Sequence, residues 1–279
     1  LIKNSAVIFG LIIIILFGIL IYNQISFDSK VESEVNSLIQ KTESFEDQII
    51  SDESLKKLPL PVKKYLKYTG VLNKKPVKFA RLKQTGEIRP DGEKWIRFNA
   101  EQYMSSNGFI WYAKIEPFNM ISAMDKFSNR KGGMLIKFFS SYTIADAKGK
   151  EIDISSLLRL ISEMAIIPSA FVKENILWKK INSHSAGISV NDGDLQVSGV
   201  FIFNDIGEII SFTTDERYMS KNGINVKEKW TVIFSDYKEF AGLKVPTKAE
   251  AVWNLIAGDM PYVKVDITEI EYDIFKIYK

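Results

Sequence analysis

The side chains in this sequence that could do chemistry are few, and most are badly spaced for it. The one histidine, His184, stands in residues 182–187 (NSHSAG) between Ser183 and Ser185. A serine nucleophile needs a base delivered by the fold, or a G-x-S-x-G elbow, and adjacency in sequence supplies neither. Cysteine is absent from all 279 residues, which removes disulfides, thiolate catalysis and sulfur-ligated metals together. A single histidine without an HExxH or carboxylate–histidine spacing builds no ordinary zinc site. The stretch Lys131, Gly132, Gly133 lacks both the spacing and the closing Lys-Ser/Thr of a phosphate loop. No cofactor or metal is implied. Four acids remain, Glu101, Glu116, Asp125 and Glu163. Gathered in one cavity they would serve as general acid and base, although acids are more commonly solvated or ion-paired.

A second pattern is apolar. Met120, Met124, Met134 and Met164, four of the seven methionines, fall in one window of the chain. Methionine is unbranched and polarizable, so several together can line a site for acyl chains of varied shape. Phe109, Trp111, Phe138, Leu158 and Ile161 would complete such a lining. Ordinary core filling accounts for the same residues, so this pattern leaves a binding cavity and a packed interior both open.

These residues need strands and a helix to position them. From Val77 onward, short runs of β-branched and aromatic residues alternate with the turn pairs Asp91-Gly92, Asn107-Gly108, Asp192-Gly193 and Asn222-Gly223. Turns of this type require positive φ, which Asn, Asp and Gly accept cheaply. The pattern predicts strands at 77–90, 93–104, 109–116, 119–127, 132–139, 195–204, 207–219, 224–237, 243–256 and 261–275. An antiparallel meander this wide twists and is expected to curl into a half-barrel. Between the two β blocks, at about 153–175, a helical insertion is expected, with Ser155 or Ser156 capping a helix that ends before Pro168. Residues 102–108 (QYMSSNG) and 217–223 (RYMSKNG) echo each other, as two hairpins with the same turn chemistry would.

Upstream, residues 58–70 (LPLPVKKYLKYTG) predict a short helix with Pro61 in its first turn and Gly70 at its stop. Residues 6–22 (AVIFGLIIIILFGILIY) are an unbroken apolar run, which as a helix spans roughly 25 Å, enough for a bilayer core. A cleavable signal would have a shorter apolar core followed by small residues at a cleavage site, and no Ala-x-Ala follows here. The run is therefore expected to be an uncleaved anchor. Lys3 precedes it, and residues 28–57 carry eight acids and four bases, a balance that puts the N-terminus inside and the main domain outside. Val31, Val35, Leu38, Thr42, Phe45 and Ile49 follow a heptad seam, open to two readings: a dimeric coiled coil through 28–50, or a stalk packed on its own domain. The 37 basic and 34 acidic residues are spread along the chain, and nucleic acid is not an expected partner.

The segment 58–66, residues 81–86 (RLKQTG) and 95–102 (WIRFNAEQ), and Gly108 to Trp111 resemble a family of uncharacterised, often membrane-anchored prokaryotic proteins. The likeness continues through Trp178, the Phe203–Gly207 turn, Arg217-Tyr218, Trp230, Gly242–Pro246 and Trp253. It implies a lipoprotein-carrier fold (LolA/LolB-like), an incomplete antiparallel barrel whose helices close an apolar cavity, and it supplies no reaction. The expected architecture is α+β: anchor at 1–27, helical stalk at 28–57, and a half-barrel with inserted helices at 58–279. The expected function is a single-pass cell-membrane protein whose extracytoplasmic domain binds a lipid, a lipoprotein acyl chain or another hydrophobic ligand. An enzyme using buried carboxylates and a structural or sensory ectodomain are the alternatives.

Overall fold

A computed structural model of the chain describes residues 2–42, 49–90, 92–221 and 223–278. Six strands, β1 (Ala80–Ile88), β2 (Ile96–Ser105), β3 (Gly108–Ile115), β4 (Ile121–Ser128), β5 (Lys131–Phe138) and β6 (Tyr142–Ala147), run outward as a meander. Seven more, β7 (Ile176–Lys180), β8 (Ser185–Asp192), β9 (Leu195–Phe203), β10 (Ile209–Lys221), β11 (Ile224–Phe240), β12 (Leu243–Leu255) and β13 (Gly258–Tyr272), return to the centre, where β13 pairs with β1. All pairings are antiparallel, and the 13 strands make one curled sheet, a half-barrel with β6 and β7 as its edges. Strands β6, β7 and β8 were absent from the sequence pattern. β6 (YTIADA) is an edge strand with mostly exposed side chains and β7 has only 5 residues, so neither shows a strong apolar alternation; β8 (SAGISVND) alternates, burying Ala186, Ile188 and Val190, but small residues weaken the signal.

The connection between the two edges is helical. Helix α4, named below after three earlier helices, starts at Lys150 rather than at Ser155 or Ser156, with Glu151 and Asp153 in its first turn, where the helix dipole favours acids. Both serines are buried inside the helix instead of capping it. Ahead of it in the chain lie α1 (Ile2–Thr42), α2 (Asp52–Leu55) and α3 (Leu60–Thr69); α4 is Lys150–Glu163, followed by short 3-10 turns at Met164–Ile166 and Pro168–Val172. Helix α4 packs on β3, β4 and β5 of one wing and on β9 and β10 of the other, so the sheet wraps around it and the face it touches is the concave one. Gly132 permits this contact: a Cβ there would lie 2.5 Å from the Ile152 carbonyl oxygen. Asp153 accepts a hydrogen bond from the Gly132 N–H at 2.8 Å and pairs with Lys131 at 2.9 Å. On the far wing the Arg217 guanidinium donates to the Ser155 carbonyl at 2.8 Å, and the Tyr218 N–H donates to the Ser155 hydroxyl.

Helix α3 has Pro61 in its first turn and stops at Gly70, whose φ is 76°. It buries Val62, Tyr65, Leu66 and Thr69. The Tyr65 hydroxyl donates to the Ala165 carbonyl, and its ring meets Phe171 and Phe203, so α3 and the 3-10 turns stop up one end of the half-barrel.

Helix α1 is continuous through 41 residues. Its apolar side chains from Val7 to Ile21 are exposed, and it is the one helix among the described residues long and apolar enough to cross a membrane. Its second half lies on the convex face of the sheet. Phe27, Val31, Val35, Leu38 and Ile39 form a separate core there with Phe79, Tyr103, Ile110, Met124 and Leu135. The Tyr112 hydroxyl donates to Asp28, and burial, then that carboxylate, pushes the phenol's pKa above its usual value. Lys126 pairs with Glu34. The seam residues Val31, Val35, Leu38 and Thr42 are buried against the protein's own sheet. The apolar seam is thus already occupied over these positions, as the packed-stalk reading expects. Phe45, Asp91 and Asn222, also named in the sequence patterns, lie outside the described residues.

Gly92, Gly193 and Gly223 have positive φ as the turn pairs require, but Gly108 does not. Gly108 is already the first residue of β3, and its constraint is contact: a Cβ would sit 2.4 Å from the Phe127 carbonyl oxygen and 3.2 Å from Leu38. Gly108→Ala should therefore destabilise the domain by about 1–3 kcal/mol, chiefly through overpacking against the β4 backbone at Phe127. Urea denaturation measures it, and a midpoint equal to the parent's would show that β3 and β4 part at Phe127 without cost.

Candidate functional site

The register sorts the side chains. Gln102, Trp111, Asp125 and Met134 lie in one cross-strand row on the concave face, and Ala100, Ala113, Ala123 and Ile136 lie in the next. Trp111 donates its indole N–H to Gln84 at 2.9 Å, Gln84 donates to Gln102 at 3.0 Å, and Gln102 donates to Glu163 at 2.6 Å. Arg159 from α4 closes the chain, donating to Glu163 at 2.8 Å and Asp125 at 2.6 Å with its guanidinium over the Phe109 ring. Burial pulls the Arg159 pKa down, but the carboxylates of Glu163 and Asp125 more than offset this and hold it above its usual value. Both acids are thus committed to one permanent cation.

Of the four acids considered for catalysis, only Asp125 and Glu163 come together. Glu101 lies on the other face, accepting from the Tyr103 hydroxyl, and Glu116 is exposed where β3 ends. His184 acquires partners that its sequence does not suggest: Ser183 at 2.8 Å on Nδ1 and Asp205 at 2.7 Å on Nε2. All three groups are on the surface, where water competes for each bond and no recess holds a substrate. Among the described residues no cluster of His, Asp and Glu could hold a metal.

The nine apolar candidates divide four ways. Phe109, Trp111, Leu158, Ile161 and Met164 are buried in the main core, with Met164 also on the floor of a recess described below. Met124 is on the convex face under α1, because each step along a strand reverses the side chain's direction. Met134 and Phe138 are on the concave face and are 36 and 39 % exposed, while Met120 sits half-buried in the β3–β4 turn. Beside Met134 and Phe138 the concave face carries Ile121 and Ile136, and further along the same face, on β1, β13 and β12, it carries Ile88, Val263, Ala249 and Ala251, all packed on the core yet reachable by solvent. This strip begins at Met134 in the Asp125 row and extends from there away from the end stopped by α3. Gln84, Gln102 and Arg159 were not singled out from the sequence. Their signal is a polar residue at an inward position of an apolar alternation, and a lone cation between Leu158 and Leu160.

A recess of about 440 Å³ opens elsewhere, between the last turn of α1, the β2–β3 and β4–β5 turns and β8. Leu157, Leu160 and Met164 form its floor, and Lys41, Arg130, Lys173 and Asp192 stand on its rim. Its charges already have partners: Arg130 bonds Asp192, Lys41 bonds Asn129, and Lys173 bonds Asn107 and the Ser106 carbonyl. A shallower recess of about 300 Å³ on the convex face is walled by Lys83, Glu101, Tyr112 and Lys114. The apolar strip is the better candidate for binding, since neither recess offers continuous apolar wall.

The model of a family of unknown function, DUF6544, matches residues 48–265. No protein of curated function matches the chain significantly. Among solved structures, a LolA superfamily protein from Nitrosomonas europaea is 10 % identical with a TM-score of 0.44, covering 76 % of this chain and 91 % of that one. A DUF1329 family protein from Desulfovibrio piger is also 10 % identical, with a TM-score of 0.43 and coverage of 78 and 94 %.

Two expectations follow from the charges. Replacing Arg159 by Leu strands Asp125 and Glu163, and should cost about 3–5 kcal/mol in urea denaturation; restoring neutrality with Asp125→Asn and Glu163→Gln should recover much of it. A single-variant loss under about 1 kcal/mol would mean that water screens the group. Burial pulls the Lys173 pKa down to about 8, with Asp192 opposing, whereas an unfolded lysine titrates near ~10.4. Between those values the unfolded chain holds the extra proton, so this residue makes stability rise with pH. Thermal midpoints between pH 8 and 9.5 should rise less steeply in Lys173→Met.

Proposed function

The chain belongs to the DUF6544 family, which carries no reaction with it, and from that premise we propose that it is a membrane-anchored binding protein for a lipid, an acyl chain or another hydrophobic molecule. The observation that carries this reading is the half-open apolar strip on the concave face around Met134 and Phe138. Exposed apolar surface in a concave, rigid setting is costly to leave in water and is the common form of a hydrophobic binding site. The alanines at 249 and 251 keep the wall low, and Met134 supplies an adaptable contact. The main domain lies outside the cell in this reading, supported by the excess of acids after the apolar run. The ligand rests on the strip near the mouth and not between sheet and α4, where the packing is closed.

Met134→Asp and Ala251→Trp test it from two directions, one by adding a charge and one by filling space. Each should lower uptake of a fluorescent fatty acid by the detergent-solubilised chain at least tenfold, with the dichroism spectrum and thermal midpoint of the parent. Met164→Asp, by contrast, should unfold the protein, because it buries a carboxylate in packed core. Undiminished uptake in both strip variants, or no uptake by the parent, would remove the proposed function.

A further inference from the structure

Four exposed aromatic side chains gather at one corner of the half-barrel. Phe118, in the β3–β4 turn, is 90 % exposed, and Tyr142, at the start of β6, is 73 % exposed. Phe138 and Phe139, between them in the chain, meet edge to face with ring centroids 4.5 Å apart, and Ile144 is exposed on the same edge strand as Tyr142. The two turns are tied together, since the Phe139 N–H donates to the Met120 carbonyl. A monomer in water gains nothing from such a cluster.

Its position relative to α1 gives it an occupant. Asn23 donates to the Ser141 hydroxyl at 2.8 Å, and Ser140 donates to Gln24 at 2.8 Å. These bonds fix the β5–β6 turn beside the first polar residues after the apolar run, which ends at Tyr22. The β3–β4 turn reaches further. Leu38 lies over Gly108 and Asp28 bonds Tyr112; ten helical residues and four strand residues span about 15 and about 13 Å respectively, so α1 and β3 run nearly antiparallel. Carrying β3 on from Tyr112 to Ile115 adds roughly 10 Å, the rise of about seven helical residues. That brings the end of β3 level with Ile21, and Phe118 lies beyond it.

We propose that Phe118, Phe138, Phe139 and Tyr142 form an interfacial anchor, seated in the headgroup layer of the same bilayer that α1 crosses. Aromatic rings favour that layer, where an apolar body and a polar edge are both accommodated. The mouth of the concave face, at Ile121 and Phe138, then meets the membrane surface. This holds whether or not the apolar strip takes a ligand.

The absence of native cysteine makes the test clean. Phe118→Cys, Tyr142→Cys and, as a control, Asp194→Cys are labelled with an environment-sensitive fluorophore in the full chain, reconstituted into phosphatidylcholine–phosphatidylglycerol vesicles. Asp194 lies in the β8–β9 turn, where its neighbours Asp192 and Gly193 meet Arg130 beside the last turn of α1, roughly 25 Å of helix away from Asn23. Lipids bearing a nitroxide near the headgroup should quench the probe at 118 or 142 at least twofold in any variant with parental dichroism, and leave the probe at 194 unchanged. Quenching at both turn positions no greater than at 194 overturns the anchor and assigns the cluster to a protein partner. Fatty-acid uptake is read separately, so loss of one proposal leaves the other standing.

Discussion

A chain that builds a thirteen-stranded sheet outward from its centre has to get from one edge to the other, and how it makes that crossing shapes everything else. The strands of each wing are joined by hairpins, so every neighbour except β1 and β13 is found locally. The crossing is the non-local step. Its backbone must be bonded while it traverses the interior, which only a helix does without help from a sheet. Helix α4 therefore runs through the concavity, and the sheet closes on it from both wings. Gly132 strips the side chain where helix and strand backbones touch, and the bonds of Arg159 on the helix to Asp125 of one wing and of Arg217 on the other wing to Ser155 of the helix hold it in register.

The buried polar chain from Trp111 to Asp125 follows from the same demand. Apolar packing alone would let a helix slide or rotate in a curved trough, whereas a helix whose Arg159 must reach Asp125 and whose Glu163 must meet Gln102 has one acceptable position. A hydrophobic replacement of similar volume would often be as stable, so the value of the network is better sought in uniqueness of packing than in energy. Its place also divides the concave face: one side is filled by α4, α3 and the 3-10 turns, and the other keeps its apolar strip uncovered.

The hairpins, the curl and the helical crossing were legible because alternation and turn pairs are local signals. Edge strand β6 was not, since an exposed edge has no buried face to impress a pattern on its residues. The methionines show the limit most clearly. Met124 and Met134 belong to one sequence cluster, yet parity along paired strands sends them to opposite faces. Gly108 was expected to hold positive φ in a turn and does not; the pressure on it comes from Phe127 and Leu38, which no local reading of a turn contains. The heptad on α1 is real as a stripe; what it meets is the protein's own sheet.

One property of α1 sets the working range of the protein. The helix runs without a break from the apolar run to Thr42, and its second half is fastened along the sheet by a core, the Tyr112–Asp28 hydrogen bond and the Lys126–Glu34 pair. There is no hinge between span and domain. With its apolar run seated in a bilayer, as proposed above, such a molecule would have almost no vertical reach and would not ferry cargo across an aqueous gap. It would explore two dimensions, turning and drifting with its lipids, and any exchange with a second protein would happen where that protein comes down to the same plane.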